Sequence, residues 1–211
     1  MVRKILPALL VLAGLMIAGC GEYGKVEQGR TVAVDKEKDL VYIIVDTNLD
    51  AKKPPAYTEL PPHAFKLPVD NQERGPEPSP ALRMNLDVDK KTISMYNPKS
   101  GAIEDLPFEV VKDTQDVDLI RRHPLVWDSA TRRARKFPVV DTANRTVEIY
   151  SRRQLRVTTI KLSEADFAKY KADDWGAGDE VRIYYKEGYK DGKPGVALRF
   201  YNITKTDITR R

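Results

Sequence analysis

The stretch Glu180-Val181-Arg182-Ile183-Tyr184-Tyr185 decides the fold class of this 211-residue chain, because polar and apolar side chains alternate along it. An alternation with a period of two residues is typical of a β-strand that buries one face and exposes the other. We therefore predict a strand here, with separate residues on its two faces. The inward residues would be Val181, Ile183 and Tyr185, and the outward residues Arg182 and Tyr184.

The flanking segments extend this pattern into a five-stranded unit. Lys136–Val140 and Thr146–Tyr150 predict a hairpin, Leu155–Leu162 a third strand, and Val196–Thr204 a last strand. Ser163-Glu164-Ala165-Asp166 resembles a capping box that opens one short helix through about Lys171. The order β-β-β-α-β-β matches an OB-type barrel, so residues 134–204 are predicted to close into one. Its expected core residues are Val147, Ile149, Ile183 and Leu198.

A hairpin pattern recurs three times along the chain. Asp35, Asp87 and Asp141 each end a predicted strand, and the next strand begins at the same spacing. Each aspartate can accept hydrogen bonds from the turn backbone. The repeat is either a true duplication or the common appearance of β-hairpins. We predict an all-β protein with two small antiparallel β-barrel-like units, residues 31–118 and 119–206, the second OB-like with one short helix.

The N-terminal residues predict an export signal. Two basic residues precede the uncharged segment Ile5–Ala18, which is shorter than the ~20 residues of a membrane-spanning helix. The end of this segment and the two residues that follow read Ile17-Ala18-Gly19-Cys20, which resembles the lipobox of bacterial lipoproteins. This resemblance implies that residues 1–19 are a signal peptide and that Cys20 carries a covalent lipid. No other cofactor is expected.

The predicted lipid anchor implies that the protein is located in the cell envelope. In enteric-type bacteria an Asp after the lipidated cysteine retains a lipoprotein in the inner membrane. Gly21 therefore favours the periplasmic face of the outer membrane over the inner membrane. Residues 20–30 are polar and contain glycine, so we predict a tether there, and residues 207–211 form a tail.

Catalytic and metal-binding residues are not expected. Cys20 is the only cysteine, so after its acylation no thiol remains for a disulfide or a nucleophile. His63 and His123 each adjoin a proline and are predicted to lie in loops. The chain contains no G-x-S-x-G, H-E-x-x-H, P-loop or G-x-G-x-x-G motif. We predict that the protein is not an enzyme. An unrecognised carboxylate-based activity is the alternative to this prediction.

Basic residues concentrate in one segment, residues 121–161, which contains eleven Lys and Arg against three Asp and Glu. Arginine binds phosphates and carboxylates in a bidentate manner. We expect Arg152, Arg153, Arg156 and Arg182 to lie on one contiguous exposed surface, mostly without acidic partners. An ordinary solvated strand face is the alternative. The candidate anion- or partner-binding residues are Tyr150, Arg152, Arg153, Arg156, Arg182, Tyr184, Arg199 and Tyr201.

Four segments carry a resemblance to a known family: Cys20–Arg30, Lys136–Asp141, Gly178–Lys186 and Ala197–Thr204. The mature chain resembles a family of bacterial lipoproteins, with a domain of unknown function, from sulfate-reducing bacteria. The resemblance implies a location and a lineage, and it implies no activity or site residues.

These features together predict a non-enzymatic lipoprotein that faces the periplasm. It would bind a protein partner or an anionic envelope component through the Arg- and Tyr-rich surface. Nucleic acid is not an expected partner, because it is scarce outside the cytoplasm. The alternative is a structural or assembly accessory subunit of a membrane complex, with no small ligand. Salt-sensitive binding would favour the first function, and salt-insensitive co-purification would favour the second.

Overall fold

Strands dominate the computed structural model, which describes residues 24–48 and 53–206 and confirms the all-β prediction. The signal peptide, Cys20 and the tail of residues 207–211 lie outside the described residues. In chain order the strands are β1 (Lys25–Asp35), β2 (Leu40–Val45), β3 (His63–Lys66), β4 (Arg83–Asp87), β5 (Thr92–Asn97), β6 (Ala102–Thr114), β7 (Trp127–Asp128), β8 (Arg133–Ala134), β9 (Val139–Asp141), β10 (Thr146–Ser151), β11 (Arg156–Leu162), β12 (Glu180–Tyr185) and β13 (Gly195–Asn202).

Five strands from the two ends of the described chain close a barrel in the order β1-β12-β13-β3-β2. All neighbours are antiparallel except β3 and β13, which pair in parallel. Three strands, a long excursion and two further strands form an OB-like arrangement. The closed barrel is thus confirmed, but residues 134–204 do not form it, because only their last two strands belong to it.

A six-stranded antiparallel sheet occupies the excursion, in the order β4-β5-β6-β11-β10-β9, and β7 and β8 form a separate hairpin. The predicted domain boundary between residues 118 and 119 is wrong, because the barrel and the six-stranded sheet each contain strands from both sides of it. The strand β6 pairs with β11 across it, and β1 pairs with β12. Local alternation identifies strands and hairpins, whereas these pairings join segments that are far apart in sequence.

Residues 25–30 form the first half of β1, so the prediction of a tether over residues 20–30 is wrong for this part. Gly29 pairs with Val45 on one edge and with Val181 on the other. A Cβ atom at Gly29 would overlap the main-chain oxygen of Ile44. The glycine that suggested flexibility is required by close backbone packing.

The three recurring aspartates stabilise hairpin turns, as predicted. Each accepts a main-chain hydrogen bond from the residue three positions later. This bond lowers the pKa of the Asp35 and Asp87 carboxyls, and the side-chain amide of Asn144, together with its main-chain nitrogen, lowers the pKa of Asp141. The bonds are Lys38 N to Asp35 Oδ1 (3.0 Å), Lys90 N to Asp87 Oδ1 (2.9 Å) and Asn144 N to Asp141 Oδ1 (3.1 Å).

The short helix begins where predicted. Ser163 is the N-cap of α1 (Glu164–Phe167), and its Oγ accepts a hydrogen bond from Asp166 N at 3.1 Å. The helix ends before the predicted Lys171. A 3-10 turn, Ala172–Trp175, follows and places the indole of Trp175 fully inside the core.

Two large hydrophobic cores and a third, smaller cluster result from this arrangement. Ile43, Phe65 and Ile183 fill the barrel, while Ile149 and Trp175 lie between the barrel and the six-stranded sheet. Of the predicted core residues, Val147, Ile149 and Ile183 are buried. The barrel and the six-stranded sheet therefore each bury one face, and part of the outer face of the barrel forms one wall of the second core.

Leu198 is exposed, contrary to prediction, because a β-bulge shifts the register of β13. Tyr184 pairs with Arg199, whereas Tyr185 pairs with Ala197, so Leu198 is the extra residue between them. Ala197 is buried, and Leu198 is 40% exposed. One inserted residue exchanges the inward and outward faces of a strand.

Arg30 joins the barrel to the six-stranded sheet. Its Nη1 donates hydrogen bonds to the main-chain oxygens of Arg83 (3.0 Å) and Met84 (2.5 Å), and its guanidinium lies over the ring of Tyr57. Arg83 in turn donates to Trp175 O at 3.1 Å. Burial, together with the nearby charge of Arg30, lowers the pKa of Arg83 to about 9. Main-chain carbonyls are the hydrogen-bond partners of both guanidinium groups here.

Ile183→Ala should destabilise the protein by about 2–5 kcal/mol, because it leaves a cavity in the packed barrel. Leu198→Ala removes a similar side chain from an exposed bulge, so it should change stability by about 0.5 kcal/mol or less. Urea-induced unfolding followed by tryptophan fluorescence measures both. Equal losses in the two variants would contradict the register of β13.

Candidate functional site

Arginine and tyrosine alternate on the outer face of the barrel. Arg182 pairs with Tyr201, and Tyr184 pairs with Arg199, so the four side chains form a checkerboard across β12 and β13. The rings of Tyr184 and Tyr201 meet edge to face, with 6.0 Å between their centroids. These four candidate residues therefore lie on one continuous strand face.

Arg199 is already paired with a carboxylate. Its Nη2 donates to Glu73 Oε1 at 2.8 Å and its Nε donates to Glu73 Oε2. These bonds lower the pKa of the Glu73 carboxyl. The guanidinium also lies 5.8 Å from the ring centre of Tyr201. Its charge is neutralised from within the chain.

Arg156 lies on β11 in the six-stranded sheet, away from the barrel strands. Its Nε and Nη2 donate to the two carboxylate oxygens of Asp113, each at 2.6 Å, and Thr158 Oγ1 donates to the same group at 2.9 Å. The expectation that Arg156 would lack an acidic partner is wrong. The prediction missed this pair because β6 was not recognised as the neighbour of β11.

Tyr150 does not lie on the candidate binding surface either. It packs in a third hydrophobic cluster with Val117 and Val157. Its ring centroid lies 5.7 Å from that of Phe137, and its hydroxyl accepts a hydrogen bond from Leu119 N at 3.3 Å. The residue is on β10, so its ring faces this small core rather than the outer face of the barrel.

A groove of about 560 Å³ lies between the outer face of the barrel and the turn that joins β10 to β11. Arg182 and Tyr184 form the barrel side, Arg153 lies on the side of the turn, and Lys53 also lines the groove. Arg152 is exposed on the same turn, next to Arg153. The structure thus brings together three of the predicted residues, Arg153, Arg182 and Tyr184, in one concave site.

An uncharged side chain holds the guanidinium of Arg182. Its Nε and Nη2 donate to Gln28 Oε1 at 3.1 and 2.8 Å, and the amide of Gln28 donates to Glu180. A guanidinium has five N–H donors, so three remain for a ligand. Within the part of the chain that the structure describes, Arg182 forms no ion pair.

Three carboxylates line the groove, those of Glu27, Asp46 and Glu180, and each accepts a hydrogen bond from within the chain. Asp46 Oδ1 accepts hydrogen bonds from the main-chain nitrogens of Asn48 (2.9 Å) and Ala56 (2.8 Å). Glu180 accepts one from Gln28. These bonds satisfy the carboxylates without neutralising them. The groove therefore presents both signs of charge, and Arg182 contributes three N–H donors that Gln28 does not use.

The sequence prediction missed a polar cluster around Glu27, which lines the groove. Glu27 Oε2 lies 2.8 Å from His63 Nδ1, and its Oε1 accepts a hydrogen bond from Tyr185 Oη at 2.6 Å. The ring of His63 stacks on Tyr189 at 4.9 Å. Burial and the bond to Glu27 raise the pKa of Tyr185. His63 begins β3 rather than lying in the predicted loop, and only the barrel register reveals this contact.

Two further findings apply to residues 24–48 and 53–206. No group of three or more His, Cys, Asp or Glu side chains there is arranged to hold a metal ion. No helix in the same ranges is long and apolar enough to cross a membrane.

Comparison with known proteins assigns the chain to a family. Residues 22–211 match the family model described as Domain of unknown function (DUF4881), so the chain belongs to that family. No curated protein and no solved structure matches the chain.

The pKa of Asp113 should lie below its ordinary value, because Arg156 and Thr158 donate hydrogen bonds to the carboxylate. Arg156→Gln should raise this pKa, and the carboxyl ¹³C shift of Asp113 in an NMR titration measures it. The pKa is depressed in the folded state, so the pair stabilises the protein above the unfolded-state pKa and loses this effect as the pH falls through the folded pKa. Glu73, paired with Arg199, is the control and should not change.

Proposed function

We propose that the protein is a non-enzymatic lipoprotein, anchored by Cys20 and facing the periplasm, that binds an anionic group in the groove. The group belongs to a protein partner or to an envelope component. The observation that carries the proposal is Arg182, which is oriented by the neutral amide of Gln28 and keeps its charge and three N–H donors.

The dimensions of the groove support a ligand group of limited size. Its volume of about 560 Å³ falls within the ~300–1,000 Å³ of small-ligand sites. A phosphate-bearing headgroup, an acidic sugar or a few acidic side chains would fit this space. Tyr184 supplies a planar wall beside Arg182, and Arg153 lies across from them.

The location rests on the sequence outside the described residues. The segment Ile17–Cys20 matches the lipobox pattern, and Gly21 favours the outer membrane. Two or more acyl chains on Cys20 would provide stable anchoring. We propose that the family consists of lipoproteins from sulfate-reducing bacteria. This proposal is based on residues Ile17–Gly21 and on the resemblance of four segments of the mature chain to that group.

Two ion pairs favour the second candidate function, an accessory subunit with no small ligand. Arg156 is paired with Asp113, and Arg199 with Glu73. Two of the arginines predicted to bind a partner thus form ion pairs within the chain. This is expected of a surface whose charged residues have a structural role and bind no ligand. In that case a partner would bind elsewhere and without a strong dependence on salt.

Arg182→Gln should abolish salt-sensitive binding and leave stability nearly unchanged, because its main contact is with a neutral amide. The measurement is co-purification of tagged protein from solubilised membranes at low and high salt, with mass spectrometry of the retained components. Arg132→Gln, which removes an exposed arginine outside the groove, is the matched control. Components retained equally by both variants, and unaffected by salt, would establish the accessory-subunit function instead.

Cys20→Ser should release the protein from the membrane, because the lipid attaches to the sulfur. Fractionation at high salt measures the release, and the intact mass of the wild-type protein measures the acyl chains. An unmodified Cys20 in the mature protein, or a Ser variant that still sediments with membranes, would show that the anchor is not this residue.

A further inference from the structure

We propose that the barrel end where β1 begins rests on the headgroup layer of the membrane that holds Cys20. The contact surface is the loop of residues 186–194, which joins β12 to β13, and its partner is anionic phospholipid. This proposal rests on the lipidation of Cys20 proposed above, and it adds the orientation of the protein and the surface that meets the bilayer.

The distance from the lipid to the barrel is short. Lys25 is the first residue of β1 and pairs with Tyr185 on β12. The backbone at Gly24 has φ +61, and a Cβ atom there would overlap the main-chain oxygen of Tyr185, so the chain already packs on the barrel at this residue. Three residues lie between Cys20 and Gly24, and the four steps from one Cα atom to the next span at most roughly 14 Å. The start of β1 is therefore held beside the headgroups.

The loop at this end is positioned by contacts within the barrel. Tyr189 stacks on His63, which is itself bonded to Glu27. Val196 N donates to Glu187 O at 3.1 Å, which fixes the loop to the start of β13. The surface that faces the membrane is thus already formed before it meets lipid.

The charges of this end fit an anionic surface. Lys25, Lys186, Lys190 and Lys193 are all exposed, and none forms an ion pair within the described residues. The loop contains two acidic residues, Glu187 and Asp191. Lysine side chains near a bilayer are attracted to anionic headgroups. Two exposed apolar side chains flank the loop: Val26 is 52% exposed and Val196 is 54% exposed.

The far end of the barrel gives an internal reference. The strand β1 has 11 residues, so it carries the chain roughly 33 Å away from Lys25. Its far end leads into the turn that contains Asp39, whose main-chain oxygen accepts a hydrogen bond from Leu67 N. Val69, two residues beyond Leu67, is 89% exposed. A label at Val69 therefore reports on the end that points away from the membrane.

The test uses the full, lipidated protein in vesicles of phosphatidylethanolamine and phosphatidylglycerol that contain a nitroxide-labelled headgroup. Cys20 is the only native cysteine, so after acylation a cysteine introduced as Lys190→Cys or Val69→Cys is the single free thiol for a fluorophore. The fluorophore at residue 190 should be quenched at least several-fold more than that at residue 69. Lys186→Glu/Lys193→Glu should reduce the difference, and Lys36→Glu/Lys38→Glu on the β1–β2 turn should not.

The outcomes separate this proposal from the anchor itself. Flotation of the labelled protein with the vesicles tests lipidation. A protein that floats but shows equal quenching at both positions, or none at either, overturns the proposed orientation and leaves the anchor intact. Quenching that persists in the Lys186→Glu/Lys193→Glu variant overturns the role of anionic lipid. A protein that does not float overturns both.

Discussion

The pairing of β1 with two partners at once is the constraint on which the structure depends. One edge of the strand bonds to β2 and the other to β12, and Gly29 is the residue where both backbones approach. Because this closure joins strands from the two ends of the described chain, residues 67–179 must leave from β3 and return to β12. They do so as a second sheet that covers part of the outer face of the barrel, and Arg30 of β1 donates hydrogen bonds to main-chain oxygens of that sheet.

Local patterns predicted the strands well, because burial of one face imposes a period of two that is visible in the sequence. The turn aspartates and the Ser163 cap were also predictable, because each bonds to a residue three positions away in the sequence. Two kinds of feature were not predictable. The first is the choice of distant partners, which placed β1 beside β12. The second is the one-residue bulge at Leu198, which reverses the faces of a strand without altering its composition.

In the candidate site, the partners of the arginine side chains were likewise not predictable from the local sequence. Arg156, Arg199 and Arg182 were equivalent in the sequence, and each obtained a different partner at long range. Asp113 lies 43 residues from Arg156, Glu73 lies 126 residues from Arg199, and Gln28 lies 154 residues from Arg182. Alternation predicted that Arg182 and Arg199 face outward. It carried no information on whether a carboxylate or an amide would meet them, and that difference decides which guanidinium keeps its charge.

A carboxylate and an amide both orient a guanidinium, but only the carboxylate neutralises it. Arg199 and Arg182 lie on adjacent strands of one face, and Gln28 makes Arg182 the one that can still attract an anion. Gln28 belongs to the segment that the sequence suggested was a flexible tether. The same segment contributes Glu27 to the cluster around His63 and Gly24 to the contact with β12. A real tether over residues 20–30 would have left Arg182 without its orienting amide and the barrel without its closing strand. The order of residues 24–30 therefore links the charge in the groove to the distance between the barrel and the residue proposed to carry the lipid.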